Sequence, residues 1–245
     1  MIFVLAATTA LGQPATNTTF ATRAEQAFAQ AQQTFAAHPG EAEAAWRLGR
    51  ASYDWAEFAT NATQRAAVAQ TGISACRQLL AHDPTSAPGH YYLAMDYGEL
   101  AQAEAPSLAA YLVIRDIERE FKAAAALDQR LDFAGAPRGL GLLYRDAPGW
   151  PISIGDKGKA REFLEHAAAL APDYPENQLN LVESHVKWRE AAKAETAWQK
   201  LAAIWPTART NLTGVVWEPC WEDWTTRRAA VKTEFQKAFG RAPQP

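Results

Sequence analysis

Eight aromatic and charged residues are the positions at which this chain could bind a ligand. Guanidinium groups can donate paired hydrogen bonds to a carboxylate, and Tyr or Trp can cover an apolar body, so this combination suits organic acids, peptide termini or an acidic partner segment. The alternative is that the aromatic residues pack between helices and the arginines are ordinary surface residues. The set comprises Trp46, Arg50, Tyr53, Tyr91, Arg138, Arg145, Trp150 and Glu183.

Two of these arginines are predicted to act together. Arg138 and Arg145 are seven residues apart, which is two turns along one helix face, so both could hold one anionic group. Neither is assigned to the contacts between helices. Trp150 lies between Gly149 and Pro151 in a stiff segment and is predicted to be a lid or plug above that group.

Patterns typical of catalysis are incomplete. Gly155–Ala160 is similar to a phosphate-binding loop, but Ser153 replaces the first glycine and Ala160 follows the Gly-Lys pair where Ser or Thr is needed. A helix start capped by Asp156 explains the segment better. The five histidines are scattered, and no nucleophile stands beside a base. We therefore predict no enzyme activity, no metal site and no cofactor.

Composition limits the partners. The chain has 245 residues, of which 48% are hydrophobic, with a net charge of -3 and a pI near 6.0. Without a basic field, a nucleic-acid partner is not expected. Cys76 and Cys220 are predicted to be two free thiols, and a disulfide remains the alternative if the chain is exported, since their proximity does not follow from the sequence.

An apolar run opens the sequence. Met1–Leu11 has the length of the hydrophobic region of a secretion signal and is short for a membrane span, although no basic residues precede it. We interpret residues 1–16 as a remnant of such a signal; a frayed terminal segment is the alternative. This predicts a periplasmic or secreted protein without stable membrane insertion.

The elements that must position the candidate residues form a repeat. Four apolar dipeptides are each followed, 25 to 36 residues later, by a residue predicted to end a second helix. Small residues such as Gly141 are predicted at the closest contacts between helices. The dipeptides and helix ends are Leu48-Gly49 with Pro84, Leu93-Ala94 with Gln129, Leu140-Gly141 with Pro172, and Leu181-Val182 with Pro206.

This spacing resembles the tetratricopeptide (TPR) repeat, which implies stacked antiparallel helix pairs whose first helices line a concave groove. We predict an all-α, TPR-like helical-repeat solenoid over residues 22–206, with a lone helix at Thr22–Ala37 at its start. The Trp-rich residues 207–245 are predicted to form a cap with a C-terminal capping helix. The glycines and prolines of Gly135–Gly141 and Ala147–Asp156 predict loops.

Four segments resemble the T-component family of TRAP transporters (TatT-like), and the likeness covers about residues 60–206. They are HYYLA at His90–Ala94, IEREFKAAAALD at Ile117–Asp128, GAPRGLGLLY at Gly135–Tyr144, and the run Ala147–Leu181. The resemblance implies a periplasmic TPR-like protein that works beside a TRAP solute-binding protein, with a homo-oligomer as a further implication. The lipobox cysteine of that family is missing, so a lipid anchor is not predicted.

Two functions fit these features. The first is a non-enzymatic, exported binding or scaffold protein, in its most concrete form an accessory of a TRAP-type uptake system that binds a small organic or partly hydrophobic ligand or a solute-binding partner. The alternative is a general TPR adaptor that binds peptide segments in its concave groove. Neighbouring genes for TRAP membrane and solute-binding subunits would favour the first.

Overall fold

A computed structural model describes residues 15–244, apart from the side chains of residues 15–18, 108, 109 and 111. This part of the chain is helical and contains no β-strand. Of the predicted signal segment, residues 1–14 lie outside the described residues. The helices are α1 (Ala15–Ala37), α2 (Ala42–Ala56), α3 (Ala62–His82), α4 (Ala87–Glu104), α5 (Leu108–Leu127), α6 (Leu131–Asp146), α7 (Lys157–Leu170), α8 (Pro175–Lys187), α9 (Ala191–Asn211) and α10 (Glu218–Phe239), with a 3-10 turn at Val215–Trp217.

The helices stack in two layers. The even-numbered helices α2 to α10 contact one another in succession and form the inner layer, and the odd-numbered helices α1 to α9 pack against them from outside. This confirms the predicted all-α helical-repeat solenoid, and α10 packs on α8 as its last inner helix. Within residues 15–244, none of the helices is both long and apolar enough to span a membrane.

The stack curves until its two ends meet. Arg23 on α1 donates a hydrogen bond to Glu218 at the start of α10, with 2.6 Å between Nη1 and Oε2. These residues are 195 positions apart in the chain, so the first and last helices of the stack come together. We call the face of α2, α4, α6, α8 and α10 inside this curve the concave groove.

The predicted repeat register holds in the structure. Leu48, Leu93 and Leu181 each occupy the seventh position of their helices, α2, α4 and α8, and all three are buried. Leu140 is buried on α6. A single helix pair cannot cover its own apolar face, so each equivalent leucine is buried by neighbouring helices.

Gly141 lies where α6 and α7 approach most closely, as predicted. A β-carbon there would stand 2.6 Å from Leu164 Cγ and 3.0 Å from the backbone nitrogen of Leu164. Because a helix backbone cannot move aside locally, Gly141→Leu is expected to lower the free energy of unfolding by about 1–3 kcal/mol. Urea denaturation measures the change. Gly40→Ala, at a site with no atom within 4 Å, is the control, and an unchanged Gly141→Leu midpoint contradicts the register.

The loop prediction for Gly135–Gly141 was wrong, because this segment is part of α6. The helix is entered through three residues with positive φ angles of 51° to 66°, Asp132–Ala134. Pro137 therefore lies in the first regular turn, where its missing N–H has no partner to lose. Gly139 leaves space for the ring of Phe121, so this glycine serves close packing rather than a loop.

The prediction that Pro206 ends the second helix of the last repeat was also wrong, because α9 continues to Asn211. A proline inside a helix removes one backbone hydrogen bond. Tertiary contacts offset that loss: Ala208 is buried, and the ring of Trp205 meets Trp221 of α10 edge-on at 5.2 Å. Packing against the C-terminal cap therefore keeps α9 helical beyond Pro206.

Candidate functional site

Three of the predicted site residues form a stripe along α2 on the concave groove. Trp46, Arg50 and Tyr53 follow one another at steps of four and three residues, so they share one helix face. The Trp46 ring stacks on Tyr92 of α4 at 5.9 Å with 10° between the ring planes. All three side chains remain partly accessible to solvent, so a bound molecule could contact them.

The stripe lies in a recess lined by carboxylates. Burial raises the pKa of Tyr53 well above its usual range, and the charges of Glu99 on α4 and Glu176 on α8 add to the shift. Desolvation likewise raises the pKa of Asp54 to about 7, although 49% of its side chain is exposed. The raised pKa of Asp54 and the exposure of its side chain fit a carboxylate that water reaches while the surrounding helices displace most of the bulk solvent. The recess therefore weakens the screening of charge.

Arg138 is not a surface residue, which corrects the prediction that it lies outside the contacts between helices. Its side chain is 6% exposed and lies 2.9 Å from the Asp132 carboxylate and 4.0 Å from that of Glu176 on α8. Its guanidinium also stands 5.3 Å from the ring centre of Tyr174. Arg138 thus connects α6 to α8, and its charge is already balanced by two carboxylates.

The positive-φ turn at the start of α6 is held by side chains. Arg138 Nη1 donates to the carbonyl oxygens of Asp132 and Phe133 at 3.2 Å each, and Asn177 Nδ2 donates to Phe133 O at 3.0 Å. Tyr91, another predicted site residue, is buried and donates its hydroxyl proton to Asp132 Oδ2 at 2.6 Å. Non-glycine residues adopt this backbone region at a cost, so these bonds maintain the turn.

The turn presents Phe133, which sequence reasoning missed. Its side chain is 40% exposed, stacks on Tyr174 at 4.4 Å, and meets Trp217 edge-on at 5.8 Å. Phe133 lies in the first turn of α6, and Tyr174 and Trp217 directly precede α8 and α10, so the three rings form an aromatic edge at the N-terminal ends of three inner helices. No sequence signal marks Phe133, because its exposure results from the positive-φ turn at Asp132–Ala134. The glycines that follow this turn were interpreted as a loop.

Arg145 and Glu183 are partners in ion pairs rather than vacant positions. Arg145 makes two hydrogen bonds to its neighbour Asp146, at 2.9 Å and 2.7 Å. Glu183 receives two from Arg227 of α10, both at 2.9 Å. Arg145 and Glu183 are themselves 3.9 Å apart, so they link α6, α8 and α10. The structure therefore places Arg138 and Arg145 within charge networks.

Arg227 was missed because its segment was interpreted only as an amphipathic capping helix. Its partners had a recognisable signal: Glu176, Asn180 and Glu183 follow one another at steps of four and three on α8, and all three contact or approach Arg227. A stripe of polar residues along one face of a repeat helix predicts that the next inner helix carries a polar partner for it, as Arg227 does here.

The segment Ala147–Asp156 is a loop, as predicted, and Trp150 stands out from it. Its side chain is 89% exposed. Backbone bonds pin the loop beneath it, from Gly155 N to Pro148 O and from Asp156 N to Tyr144 O, each at 2.9 Å. Asp156 Oδ1 accepts from Gly158 N and Lys159 N, which confirms the predicted helix cap. The lid role of Trp150 stays a prediction.

The structure also shows the state of the groups that could hold a metal. Among the described residues, no three His, Cys, Asp or Glu side chains come close enough to form a metal site. Cys76 and Cys220 are both free thiols, so the structure does not contain the disulfide that was the alternative. Burial raises the pKa of both, to about 12 for Cys220, so neither is an activated nucleophile.

Comparison with known proteins places this architecture. A thermophilic TPR protein in Thermus thermophilus superposes with a TM-score of 0.62 and 18% identity, over 86% of this chain and 91% of that one. The present chain therefore has a TPR-like helical-repeat fold. Residues 15–107 match the model of the family described as regulator of microtubule dynamics protein 1-3, which is under half of the chain. The comparison with curated proteins gave no match.

Proposed function

We propose that this TPR-like protein is a binding scaffold that holds a segment of a partner protein in its concave groove. The observation that carries the proposal is the accessible stripe of Trp46, Arg50 and Tyr53 on α2, facing a recess lined by the other inner helices. Trp, Tyr and Arg are the residues that most often dominate binding energy at protein interfaces. The proposal involves binding without a chemical step.

Removing two side chains of the stripe tests this. Peptides selected from a random library on the wild-type protein are expected to bind the double variant Arg50→Ala, Tyr53→Ala at least about tenfold more weakly, since such contacts often contribute more than 1 kcal/mol each. Fluorescence anisotropy measures the affinities. The matched control is Leu112→Ala, Arg115→Ala on α5 in the outer layer, where both side chains are exposed. Equal affinities for the groove variant and the control would place binding elsewhere.

A more specific form of the proposal is an exported accessory of a TRAP-type uptake system. It is supported by the resemblance of residues 60–206 to the T-component family, in which case the partner is a TRAP solute-binding protein. The description of the family matched by residues 15–107 suggests regulation of microtubule dynamics as another setting for such a scaffold. Co-purification with a solute-binding subunit, or an exported location after fractionation of the source cells, would favour the TRAP setting over the microtubule one.

The domain division and assembly belong to the same proposal. Residues 22–206 would form the binding repeats and residues 207–245 the cap, which is supported by the packing of α10 on α8. Light scattering after size exclusion tests the homo-oligomer that the resemblance implies.

A further inference from the structure

Arg228 on α10 is held between two tryptophan rings of α9. Its guanidinium carbon stands 5.3 Å from the ring centre of Trp198 and 4.6 Å from that of Trp205. Because the faces of aromatic rings attract a flat cation, the two rings fix the position and direction of the guanidinium. The side chain of Arg228 remains partly exposed, so a molecule from solvent can reach this fixed cation.

Arg228 has a charge and a donor that the protein itself does not satisfy. Its chain neighbour Arg227 donates hydrogen bonds to Glu183 at 2.9 Å and to Asp223 at 3.1 Å. By contrast, no carboxylate oxygen of the described residues lies within 4.0 Å of a nitrogen of Arg228, and its buried Nε has no hydrogen-bond partner there. Desolvation lowers the pKa of Arg228, and no neighbouring carboxylate opposes that shift. A buried N–H without a protein partner indicates that water or an ion accepts its hydrogen bond.

Two more cations lie on the faces of α9 and α10 that meet at Arg228. Lys232 is one turn beyond Arg228 on α10, and Arg209 is one turn beyond Trp205 on α9. The guanidinium carbon of Arg209 stands 4.4 Å from the ring centre of Trp221 on α10. Both cations are exposed, and neither has a carboxylate oxygen within 4.0 Å in the part of the chain that the structure describes. We call Arg209, Arg228 and Lys232 the cationic strip.

An open cleft of about 530 Å³ adjoins the cationic strip. Arg209 lines it, the ring of Trp221 is part of its wall, and Thr225, one turn before Arg228, connects it to the rest of the strip. Three threonines, an arginine and an aromatic ring suit a small molecule that has both polar and apolar parts. The threonines of the lining are Thr213, Thr225 and Thr226.

Two carboxylates also line this cleft. Glu218 accepts a hydrogen bond from Arg23 at 2.6 Å, so its charge is balanced. Glu222 is six residues before Arg228, which places it about 120° around α10 from that arginine. Neither carboxylate pairs with a cation of the strip, so an anion that binds there has no internal ion pair to displace.

We propose that the cationic strip binds the oxyanion of a small organic molecule, a carboxylate or a phosphate ester, whose remaining part lies in the adjoining cleft. The planar guanidinium fork of Arg228 matches two oxygens of either group, and Lys232 and Arg209 add charge on both sides of it. The tryptophan rings exclude water from one side of the guanidinium, which strengthens its attraction for an anion. This site lies between α9 and α10 and is separate from the concave groove, so it goes beyond the proposed function.

Citrate and inorganic phosphate are the probes, each titrated into the full chain at about 50 mM NaCl by isothermal titration calorimetry. Saturable binding of at least one of them, with a dissociation constant below about 1 mM, is expected, and it should weaken at about 200 mM NaCl. The tighter probe distinguishes a carboxylate ligand from a phosphate ester. Absence of saturable binding of both probes overturns the inference and leaves the proposed function of the groove intact.

Substitutions locate the binding. Arg228→Met is expected to weaken the tighter probe at least about tenfold, because it removes a charge-assisted contact. Arg115→Met, an exposed arginine of α5, is the matched control and should bind as the wild type does. If the control weakens the probe as much as Arg228→Met does, binding follows overall charge, and the inference is overturned.

A second variant covers the case in which Arg228→Met does not fold. Arg209→Met, Lys232→Met changes two exposed side chains of the strip and keeps Arg228 between its rings. This double variant is expected to retain the wild-type melting temperature and to bind the tighter probe about tenfold more weakly. Wild-type affinity in a folded double variant places the anion elsewhere and overturns the inference.

Discussion

Arg138→Met is expected to lower the free energy of unfolding by about 3–5 kcal/mol, because it removes the cation that pairs with Asp132 and leaves Glu176 with Arg227 alone, 3.8 Å away. The substitution also removes two of the hydrogen bonds that hold the positive-φ turn at Asp132–Ala134. Urea denaturation at neutral pH measures the loss. Arg115→Met, an exposed arginine on α5, is the control and should change stability by less than about 0.5 kcal/mol.

The same pair makes a prediction about acid. Burial opposes the ionisation of Glu176, but the charge of Arg138 outweighs it and lowers the pKa of Glu176 to about 2. Because the pKa of Glu176 is lower in the folded state, its ionised form stabilises the protein above the unfolded pKa, and this stabilisation is lost as pH falls toward 2. The wild-type protein should therefore lose stability between about pH 4 and 2 more steeply than Arg138→Met. Parallel acid limbs would show that the ion pair contributes nothing to stability.

Asp96→Asn is expected to stabilise the protein increasingly as pH rises. Asp96 is fully buried where α2, α3 and α4 meet, and neither carboxylate oxygen has a hydrogen-bond partner among the described residues. A β-carbon on Gly72 would lie 2.1 Å from Asp96 Oδ2, so the glycine provides the space for the carboxyl group. Burial raises the pKa of Asp96 well above its usual range, and Glu99 adds to the shift.

The sign of this effect follows from proton linkage. Because the folded pKa is raised, no penalty exists below the unfolded pKa, and stability is lost as pH rises toward the folded pKa. Each pH unit in that interval costs at most about 1.4 kcal/mol, so the wild type should lose stability relative to Asp96→Asn between pH 5 and 7. For a chain of this length, each kcal/mol lost corresponds to about 2–4 °C in melting temperature.

Thermal unfolding at both pH values checks this. Asp173→Asn, an exposed aspartate, is the matched control and should follow the wild type. Identical pH dependence in Asp96→Asn and the wild type would mean that Asp96 is hydrated or paired in solution.

Sequence and structure lead to different expectations for substitutions at Arg138 and Arg145. From spacing alone, alanine at both Arg138 and Arg145 should weaken a ligand and leave the fold intact. In the structure, the partners of Arg138 come from the preceding turn and from α8, up to 39 residues away, which no local pattern reveals. The sequence could predict that these arginines share a helix face, but not that carboxylates already occupy it.

The sequence by itself determined the helical class, the repeat register and the close contact at Gly141, because periodic leucines and small residues encode one packing rule in every unit. It also determined local features such as the Asp156 cap, which depends on neighbours two and three residues away. Only the tertiary structure decided the continuation of α9, the turn that exposes Phe133, and the carboxylates that pair with Arg138 and Arg145. Those features depend on side chains from separate repeats, which the curvature of the stack brings together.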